Sequence, residues 1–476
     1  MDIFSVKRPL STAFLFLLIV GAKAQDNKLS LRQAVETAIA NNLQVKQSDL
    51  QMQTASVYLK QSRASIIPNL NASLNNGTTQ GRSIDPFTNG YINQQLNSAN
   101  FSLNTGVTLF NGGRLYNSIK QDKLGYEASA MELQQVKDNI TLNVILAYLQ
   151  ILNNEDQLSQ ALKQAEVTGV QVQRLEILNK DGAIAPALLY DLKGQLANDE
   201  LSIINTQNTL NTAKLTLAQL LYVPYNKELQ VEKMTADQFS AYQNSPDQIY
   251  QSALQQLALV KATELRRRSL EKGVKVAKSS FYPSLGLYGN LLTNYSSAAR
   301  KDIFLNSTEV ASGDYIELSG NKIPVYTTRR NSNAEKIGYF NQFNNNYGTS
   351  VSLGLSVPIF NSFRAKYQVA LAKIALKNAA YIEEATNIEL RQNIEEAHFN
   401  MTAAYARFQK LVEQVNDFTE SFRAAEVRFN AGASTQVDYL IAKNNVDRAN
   451  TNLIIAKYDF LLRTKVLDYY QGKMLW

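Results

Sequence analysis

The sequence predicts a mainly α-helical fold with some β structure, in which long coiled-coil helices and strands occur in two successive repeats. Three observations lead to this prediction. Two proline-free runs carry apolar residues at helical spacing, four segments alternate between apolar and polar residues, and the second half of the chain repeats the order of the first.

The two long helices are predicted from runs 113–179 and 365–429. In both, apolar residues recur at steps of three and four, which is typical of a coiled-coil seam. The first run would extend roughly 100 Å at 1.5 Å per residue. The mean apolar spacing in the second run is about 3.4 residues, which favours a left-handed supercoil.

The N-terminus indicates export. Lys7 and Arg8 precede an apolar segment, residues 10–20, and the small-residue sequence that ends at Ala24. This pattern is typical of a cleavable secretory signal, and we expect cleavage after Ala24. Removal of the segment lowers the formal net charge from +7 to about +5, which leaves no strong basic patch. Nucleic acid is therefore not an expected partner.

The composition also excludes several kinds of site. The 476 residues include no cysteine and a single histidine, His398, within a predicted helix. Disulfides, cysteine nucleophiles and a lipid attached to cysteine are excluded, and we expect no catalytic, cofactor or metal site. Beyond the signal, no stretch of about 18 apolar residues predicts a membrane-spanning helix. Any membrane attachment must then be built by the fold.

Four alternating segments are predicted to be strands with two different faces. They lie at 69–76, 101–109, 284–295 and 349–357. Their length suits tilted strands that cross a membrane, although an ordinary small sheet that caps a helical protein would give the same pattern. Four strands cannot close a barrel, and open edges are costly in lipid, so copies of the chain would have to associate.

The internal repeat has two offsets. Leu109 to Arg114 matches Ile359 to Arg364 at an offset of 250 residues, and Gly182 matches Gly432 at the same offset. The offset is only 215 between Pro68 and Pro283, so the second half carries 35 extra residues, which we place in a loop around residues 296–348.

These patterns divide the chain into a signal peptide, two repeats and a connector. The predicted bounds are 1–24 for the signal peptide, 25–222 for the first repeat, 223–245 for the equatorial connector and 246–476 for the second repeat. The helices predicted within the repeats are a first helix from Leu29 to Ile67, 113–179, 187–222, 247–281, 365–429 and 436–470.

The chain resembles the TolC-type outer-membrane efflux proteins. The resemblance depends on the helix-to-strand junctions at Pro68 and Pro283, the two copies of the junction that ends at Arg114 and Arg364, and the two glycine turns. It covers nearly the whole mature chain. It implies a homotrimer with a 12-stranded β-barrel in the outer membrane and a long α-helical barrel in the periplasm, where the channel meets an adaptor protein and an inner-membrane pump.

The resemblance also implies candidate site residues. Asp438 follows Gly432 by six residues, where the family places an aspartate in the pore constriction. The first repeat has Leu188 at the matching position and Asp191 one helical turn later, so Asp191 is either a second ring or a solvated residue. The turns at Gly182 and Gly432 correspond to the tips that dock the adaptor.

The favoured function is a passive outer-membrane exit duct of a tripartite efflux or type I secretion system. The alternative is a structural or adhesive coiled-coil protein of the cell surface, whose strands form a small soluble sheet. A periplasmic enzyme is a more distant alternative, because no convergent polar constellation is evident in the sequence.

Overall fold

The structure is a computed structural model that describes residues 28–85, 89–233 and 242–473. The predicted signal peptide and part of the predicted connector lie outside the described residues. Two compact units are present. The first contains the chain up to Gln47, Gln134–Leu257 and the chain from Glu389, and the second contains Ser48–Leu133 and Ala258–Ile388.

Both repeats run from short helices through strands to a long helix and a returning helix, and the second repeat carries an additional short helix among its strands. In chain order the elements are β1 (Lys28–Leu29), α1 (Leu31–Asn41), α2 (Leu43–Ala64), β2 (Asn69–Thr79), β3 (Arg82–Ile84), β4 (Tyr91–Asn93), β5 (Leu96–Asn111), α3 (Arg114–Lys180), α4 (Pro186–Leu221), β6 (Gln230–Val231), α5 (Pro246–Gln256), α6 (Ala258–Lys278), β7 (Ser284–Ser296), β8 (Arg300–Leu318), β9 (Asn321–Lys336), α7 (Tyr339–Asn345), β10 (Gly348–Ser356), α8 (Arg364–Asn430) and α9 (Gln436–Tyr470).

The first helix of each repeat is broken, which corrects the prediction of one continuous helix. In the first repeat Asn42 is extended, with φ −62° and ψ 127°. Its side chain accepts hydrogen bonds from the backbone N–H groups of Gln44 (2.8 Å) and Val45 (3.2 Å), so it caps α2. In the second repeat Leu257 has nearly the same backbone angles between α5 and α6, and a 3-10 turn at Ser279–Phe281 follows α6.

The two long helices, α3 and α8, each contain 67 residues. The apolar series of α3 is buried where Val144, Tyr148 and Ile151 lie, and again at Val172 and Leu175. Apolar residues at this spacing hold the helix in its bundle, because each one removes hydrocarbon surface from water.

A two-stranded parallel pairing of β1 with β6 joins the N-terminus to the connector. The Tyr148 hydroxyl lies 2.9 Å from the carbonyl oxygens of Leu29 and Glu232 and accepts a hydrogen bond from the Glu232 N–H at 2.8 Å. Burial raises the pKa of this phenol to about 12. A buried tyrosine therefore fastens both peripheral segments to α3.

The main sheet has four antiparallel strands in the order β10-β7-β5-β2. A register shift, typical of a β-bulge, interrupts the pairing of β5 with β7 between Thr108 and Phe110. Along the sheet, the strands that follow a short helix (β2 and β7) alternate with the strands that precede a long helix (β5 and β10).

The 35 extra residues of the second repeat form regular structure, and their prediction as a loop is wrong. Strands β8 and β9 make a long hairpin that turns at Ser319 and Gly320, both with positive φ. The sequence did not indicate these strands because most of their residues are polar. Helix α7 follows, and its Tyr339 ring contacts Tyr295 (4.6 Å) and Phe343 (4.8 Å). These three aromatic rings form a small cluster beside the sheet.

Candidate membrane sheet and hairpin tips

One face of the four-stranded sheet is apolar and exposed. Leu70, Val351 and Leu355 are 67, 79 and 67% exposed. The strand register places on this face the side chains of Leu70, Ala72, Leu74, Phe101, Leu103, Val107, Leu285, Leu287, Leu291, Val351, Leu353 and Leu355. A continuous exposed apolar surface of this kind indicates contact with lipid or another protein.

The opposite face is neutral and polar. Ser73 and Ser102 share a hydrogen bond between their hydroxyls (2.7 Å), and the Asn290 amide donates to the side-chain oxygen of Asn104 (2.8 Å). No charged side chain falls on this face within the paired registers of the four strands. Such a face can line a water-filled passage without selecting strongly for ion sign.

Tyr288 lies flat on the polar face, over three glycines on three strands. A Cβ atom built on Gly106, Gly286 or Gly354 would come within 3.1, 2.6 and 3.0 Å of the Tyr288 side chain. The ring therefore occupies the space that three side chains would otherwise fill.

The two helical hairpins end in the same kind of turn. In the first, the Gly182 N–H donates to the carbonyl of Asn179 (3.1 Å) and the Ala183 N–H to that of Leu178 (2.8 Å). The corresponding bonds at Gly432 have the same lengths. This is a Schellman motif, which requires a left-handed residue, and both glycines have φ near +70°. Within the described ranges, no atom beyond the adjacent residues lies within 4 Å of a Cβ built on either glycine.

Asp438 completes the capping box of helix α9, whose N-cap is Thr435. Its carboxylate accepts hydrogen bonds from the Thr435 hydroxyl (2.6 Å) and the Thr435 N–H (3.1 Å), while its own N–H donates to the hydroxyl at 3.2 Å. The Thr435 side-chain and backbone bonds lower the pKa of Asp438 below its ordinary value. The side chain is exposed, so a charged carboxylate remains available to solvent.

The first hairpin has no equivalent carboxylate. Helix α4 begins after Ala185 with no side-chain cap and with Pro186 in its first turn. Leu188, at the position that matches Asp438, accepts a hydrogen bond on its carbonyl from the Gln436 side chain (2.8 Å). Asp191 is exposed further along α4. The structure thus places Leu188 next to the start of α9.

A small apolar core joins the two tips. Val172, Leu175, Leu189 and Leu192 form it, and the partly buried hydrophobics packed against it include Phe429 from the second hairpin. The adjacent Arg174 of α3 donates to the Asn430 carbonyl at 2.8 Å. The hairpins are therefore held together by packing and by a charge-assisted hydrogen bond.

A buried charged cluster was missed in the sequence. The Lys443 ammonium lies 3.1 Å from an Asp199 oxygen and 2.6 Å from an Asp447 oxygen. The Thr168 hydroxyl and the Gln195 amide also donate to Asp199, at 2.5 and 2.8 Å. Burial raises the pKa of Asp447. The available signal was a lysine within the apolar three-and-four series of α9, between Tyr439 and Val446.

Neither a metal site nor a membrane-spanning helix is found within the described ranges. There, no group of three or more His, Cys, Asp or Glu side chains could hold a metal ion. Within the same ranges, no helix is both long and apolar enough to cross a bilayer.

The outer membrane efflux protein family model matches residues 34–221 and 249–468. The chain belongs to this family. It functions as an outer-membrane efflux duct, located in the outer membrane with an extension into the periplasm. The two matched segments correspond to the two repeats, and the family and fold are those of channel proteins.

Individual relatives of this efflux protein are distant. Outer membrane protein TolC of Vibrio cholerae serotype O1 is 21% identical over 328 residues, which cover 68% of this chain and 66% of that protein. TolC of Salmonella enteritidis is 22% identical over 453 residues, or 94% and 82% of the two chains. The crystal structure of the outer membrane protein VceC from Vibrio cholerae superposes with a TM-score of 0.73 at 14% identity, covering 94% of this chain and 97% of that one.

Proposed function

We propose that three copies of the chain close one barrel in the outer membrane and form a passive exit duct. The four-stranded sheet supports this proposal, since it combines an exposed apolar face, a neutral polar face and two outer strands, β2 and β10. Unpaired backbone groups cost several kcal/mol each in lipid, so the outer strands must pair with other copies. Three sheets would make a 12-stranded barrel, and channels of this type are trimers.

Disulfide trapping tests this closure directly, because the chain has no native cysteine. Asn71→Cys in β2 is combined in turn with cysteine at Ser350, Ser352 or Ser356 in β10, all on the polar face. One combination should give covalent trimers after oxidation. The control is Ser73→Cys with Ser102→Cys, which are paired within one chain and should give only a cross-linked monomer.

A mass measurement completes the test. The detergent-solubilised protein should have the mass of a trimer and should be recovered with the outer membrane. A stable monomer, or a protein that remains soluble and monodisperse without detergent, would overturn the proposal and favour a soluble surface protein.

We also propose that the hairpin tips at Gly182 and Gly432 dock a periplasmic adaptor, which couples the duct to an inner-membrane pump. The two turns share one hydrogen-bond pattern and have open space where side chains would stand. Such turns allow close approach of a partner's helical hairpin. Cross-linkers attached to the variants Ala183→Cys and Ala433→Cys should capture the adaptor. A cross-linker attached to Lys163→Cys, elsewhere on the first hairpin, should not capture it.

The pore constriction is proposed at Asp438. Three copies would place three carboxylates around one axis, where they repel anions and bind cations. The capping bonds from Thr435 support the role, because they fix the carboxylate and favour its charged form. Asp191 is the weaker candidate. It lies one helical turn further from the tip of the first hairpin, where Leu188 occupies the position that matches Asp438.

A further inference from the structure

Two neighbouring segments of the second unit show the same order of layers at the end of the sheet. Apolar strand residues are followed by exposed aromatics and then by lysines. On one segment the order is Leu285, Tyr282 and Lys278, and on the other it is Leu355, Phe363 and Lys366. Tyr282 and Phe363 are 58 and 56% exposed. This succession is typical of a membrane–water interface.

The lysines beneath the aromatics form a basic collar. It comprises Lys272, Lys275 and Lys278 on α6 and Lys366, Lys373 and Lys377 on α8. The steps of seven and four residues on α8 place its three lysines on one face. Adjacent to the collar, on α3, the Tyr116 ring lies 4.1 Å from the Lys120 ammonium, and Lys120 and Lys272 together lower the pKa of this phenol.

Positive charge in the collar is mostly uncompensated. Glu271 lies 3.9 Å from Lys272 and 3.7 Å from Lys275. The other four lysines form no ion pair with the described part of the chain. Lys366 is also in the first turn of α8, which contains no acidic residue. A cation there opposes the positive end of the helix dipole, so an anion bound nearby would relieve both charges.

On α6, Lys275 and Lys278 are exposed, whereas Lys272 is half-buried on the side of Tyr116 of α3. Arg266 and Ser269 bond to α3, and Arg267 pairs with Glu383 of α8. Around the axis of α6, the directions of α3 and α8 separate a narrow sector from a wide one. Residues 272, 275 and 278 lie in the wide sector. In a closed ring of helices the wider sector faces outward.

The lysines on α8 occupy the corresponding sector. Ala365 and Val369 are buried on the side of Glu383, whereas Tyr367 and Leu371 form an exposed apolar stripe on the other side. The lysines lie between these two faces. Helices α6 and α8 run in opposite directions. Because of this, the lysine-bearing faces of both helices lie on the same side of the helical layer, and the collar is continuous.

We propose that the basic collar binds the phosphate groups of anionic phospholipids in the periplasmic leaflet of the outer membrane. This rests on the proposed barrel, which sets the sheet across the bilayer and the collar at its periplasmic rim. Lysine side chains can extend their hydrocarbon stems along the wall and place their ammonium groups among headgroups. Contributions should decrease from Lys278 and Lys366 to Lys377, because surface potential decays within a Debye length.

The test uses the full-length protein in nanodiscs that contain equal amounts of phosphatidylglycerol and phosphatidylcholine. Native mass spectrometry of the released protein counts the retained lipids. The variant is Lys275→Gln with Lys278→Gln and Lys366→Gln. Each neutralised charge near an anionic surface should weaken binding roughly fivefold, so the three changes together should reduce the preference for phosphatidylglycerol by about a hundredfold. High salt should reduce the preference of the unaltered protein.

The matched control replaces three basic residues further along α8, by Arg407→Gln, Lys410→Gln and Arg423→Gln. This variant should keep the preference for phosphatidylglycerol. A second variant, Lys275→Arg with Lys278→Arg and Lys366→Arg, retains the charge and should also keep the preference. Equal retention of both lipids by the unaltered protein, or an unchanged preference in the glutamine variant, would overturn the proposal. Failure to enter nanodiscs at all would instead refute the membrane barrel.

Discussion

Replacement of Lys443 by methionine should destabilise the helical hairpins strongly. The ammonium group is 1% exposed and is the cationic partner of two carboxylates, from Asp199 and Asp447. Lys443→Met preserves most of the side-chain volume but leaves two negative charges near each other. The Thr168 hydroxyl and the Gln195 amide would then be the remaining donors to Asp199.

The expected loss is about 3–5 kcal/mol per protomer, the usual cost of removing one partner from a buried ion pair. At about 2.1 cal/mol/K per residue, 476 residues give an unfolding entropy of about 1 kcal/mol/K. The melting temperature should therefore fall by about 3–5 °C. Circular dichroism of the detergent-solubilised protein during heating measures this shift.

The loss should depend on pH in a definite direction. Burial raises the pKa of Asp447 in the folded protein, so the folded state holds this proton more tightly than the unfolded chain. Stability attributable to Asp447 therefore decreases as pH rises through the interval between its two pKa values. Loss of Lys443 removes an interaction that lowers the folded value, and the deficit of the variant should shrink on acidification.

Two further variants distinguish the effect of unpaired buried charges from a general effect of changing a residue of α9. Lys443→Met combined with Asp199→Asn and Asp447→Asn should recover at least half of the lost stability, because no unpaired charge remains. Lys457→Met on the same helix alters an ion pair with Asp156 that is 3.4 Å long and about one-third exposed, and should cost less than about 1 kcal/mol. A melting temperature unchanged by Lys443→Met at neutral pH would refute the reasoning.

Three other predictions concern the pore, a tip and the long hairpin. Asp438→Asn should weaken block of conductance by divalent and trivalent cations in planar bilayers, and Asp191→Asn should weaken it less; equal block in all forms would place the constriction elsewhere. Gly432→Ala should lower the free energy of unfolding by about 1–2 kcal/mol, because alanine is strained at φ +71°; chemical denaturation measures this, and an unchanged midpoint would contradict it. An epitope tag near Asn321 should react on intact cells, since the extra residues of the second repeat are expected at the cell surface; reaction only after the outer membrane is opened would contradict the expectation.

The fold class was predictable because its signals are local. Alternation of Leu353 and Leu355 with serine and glycine marks a strand with two faces, and Gly182 and Gly432 mark sharp helix ends. These signals need no knowledge of distant contacts. Their repetition in the same order, at offsets of 215 and 250 residues, then ordered the elements.

The helix breaks were harder to predict. Asn42 can continue a helix or cap the next one, and the choice depends on packing of the flanking Ala38 and Val45. Leu257, its counterpart, carries no cap signal at all. The β8–β9 hairpin was missed because its apolar residues are scattered over both faces among polar ones, so they do not alternate with a period of two.

The candidate site was only partly predictable. The family resemblance made Asp438 a candidate, but its bonds to Thr435 depend on the exact start of α9. The cluster at Lys443 depends on Asp199, which is distant in sequence, and a lysine among apolar residues does not identify its partner.

The Tyr288 ring also limits how the polar face of the sheet can change. Because it covers Gly106, Gly286 and Gly354, a larger residue at any of these positions would force the ring away from the wall. A smaller residue at Tyr288 would expose the backbone of three strands to solvent. These four positions are thus coupled by volume, and a redesign of this part of the polar face must change them together.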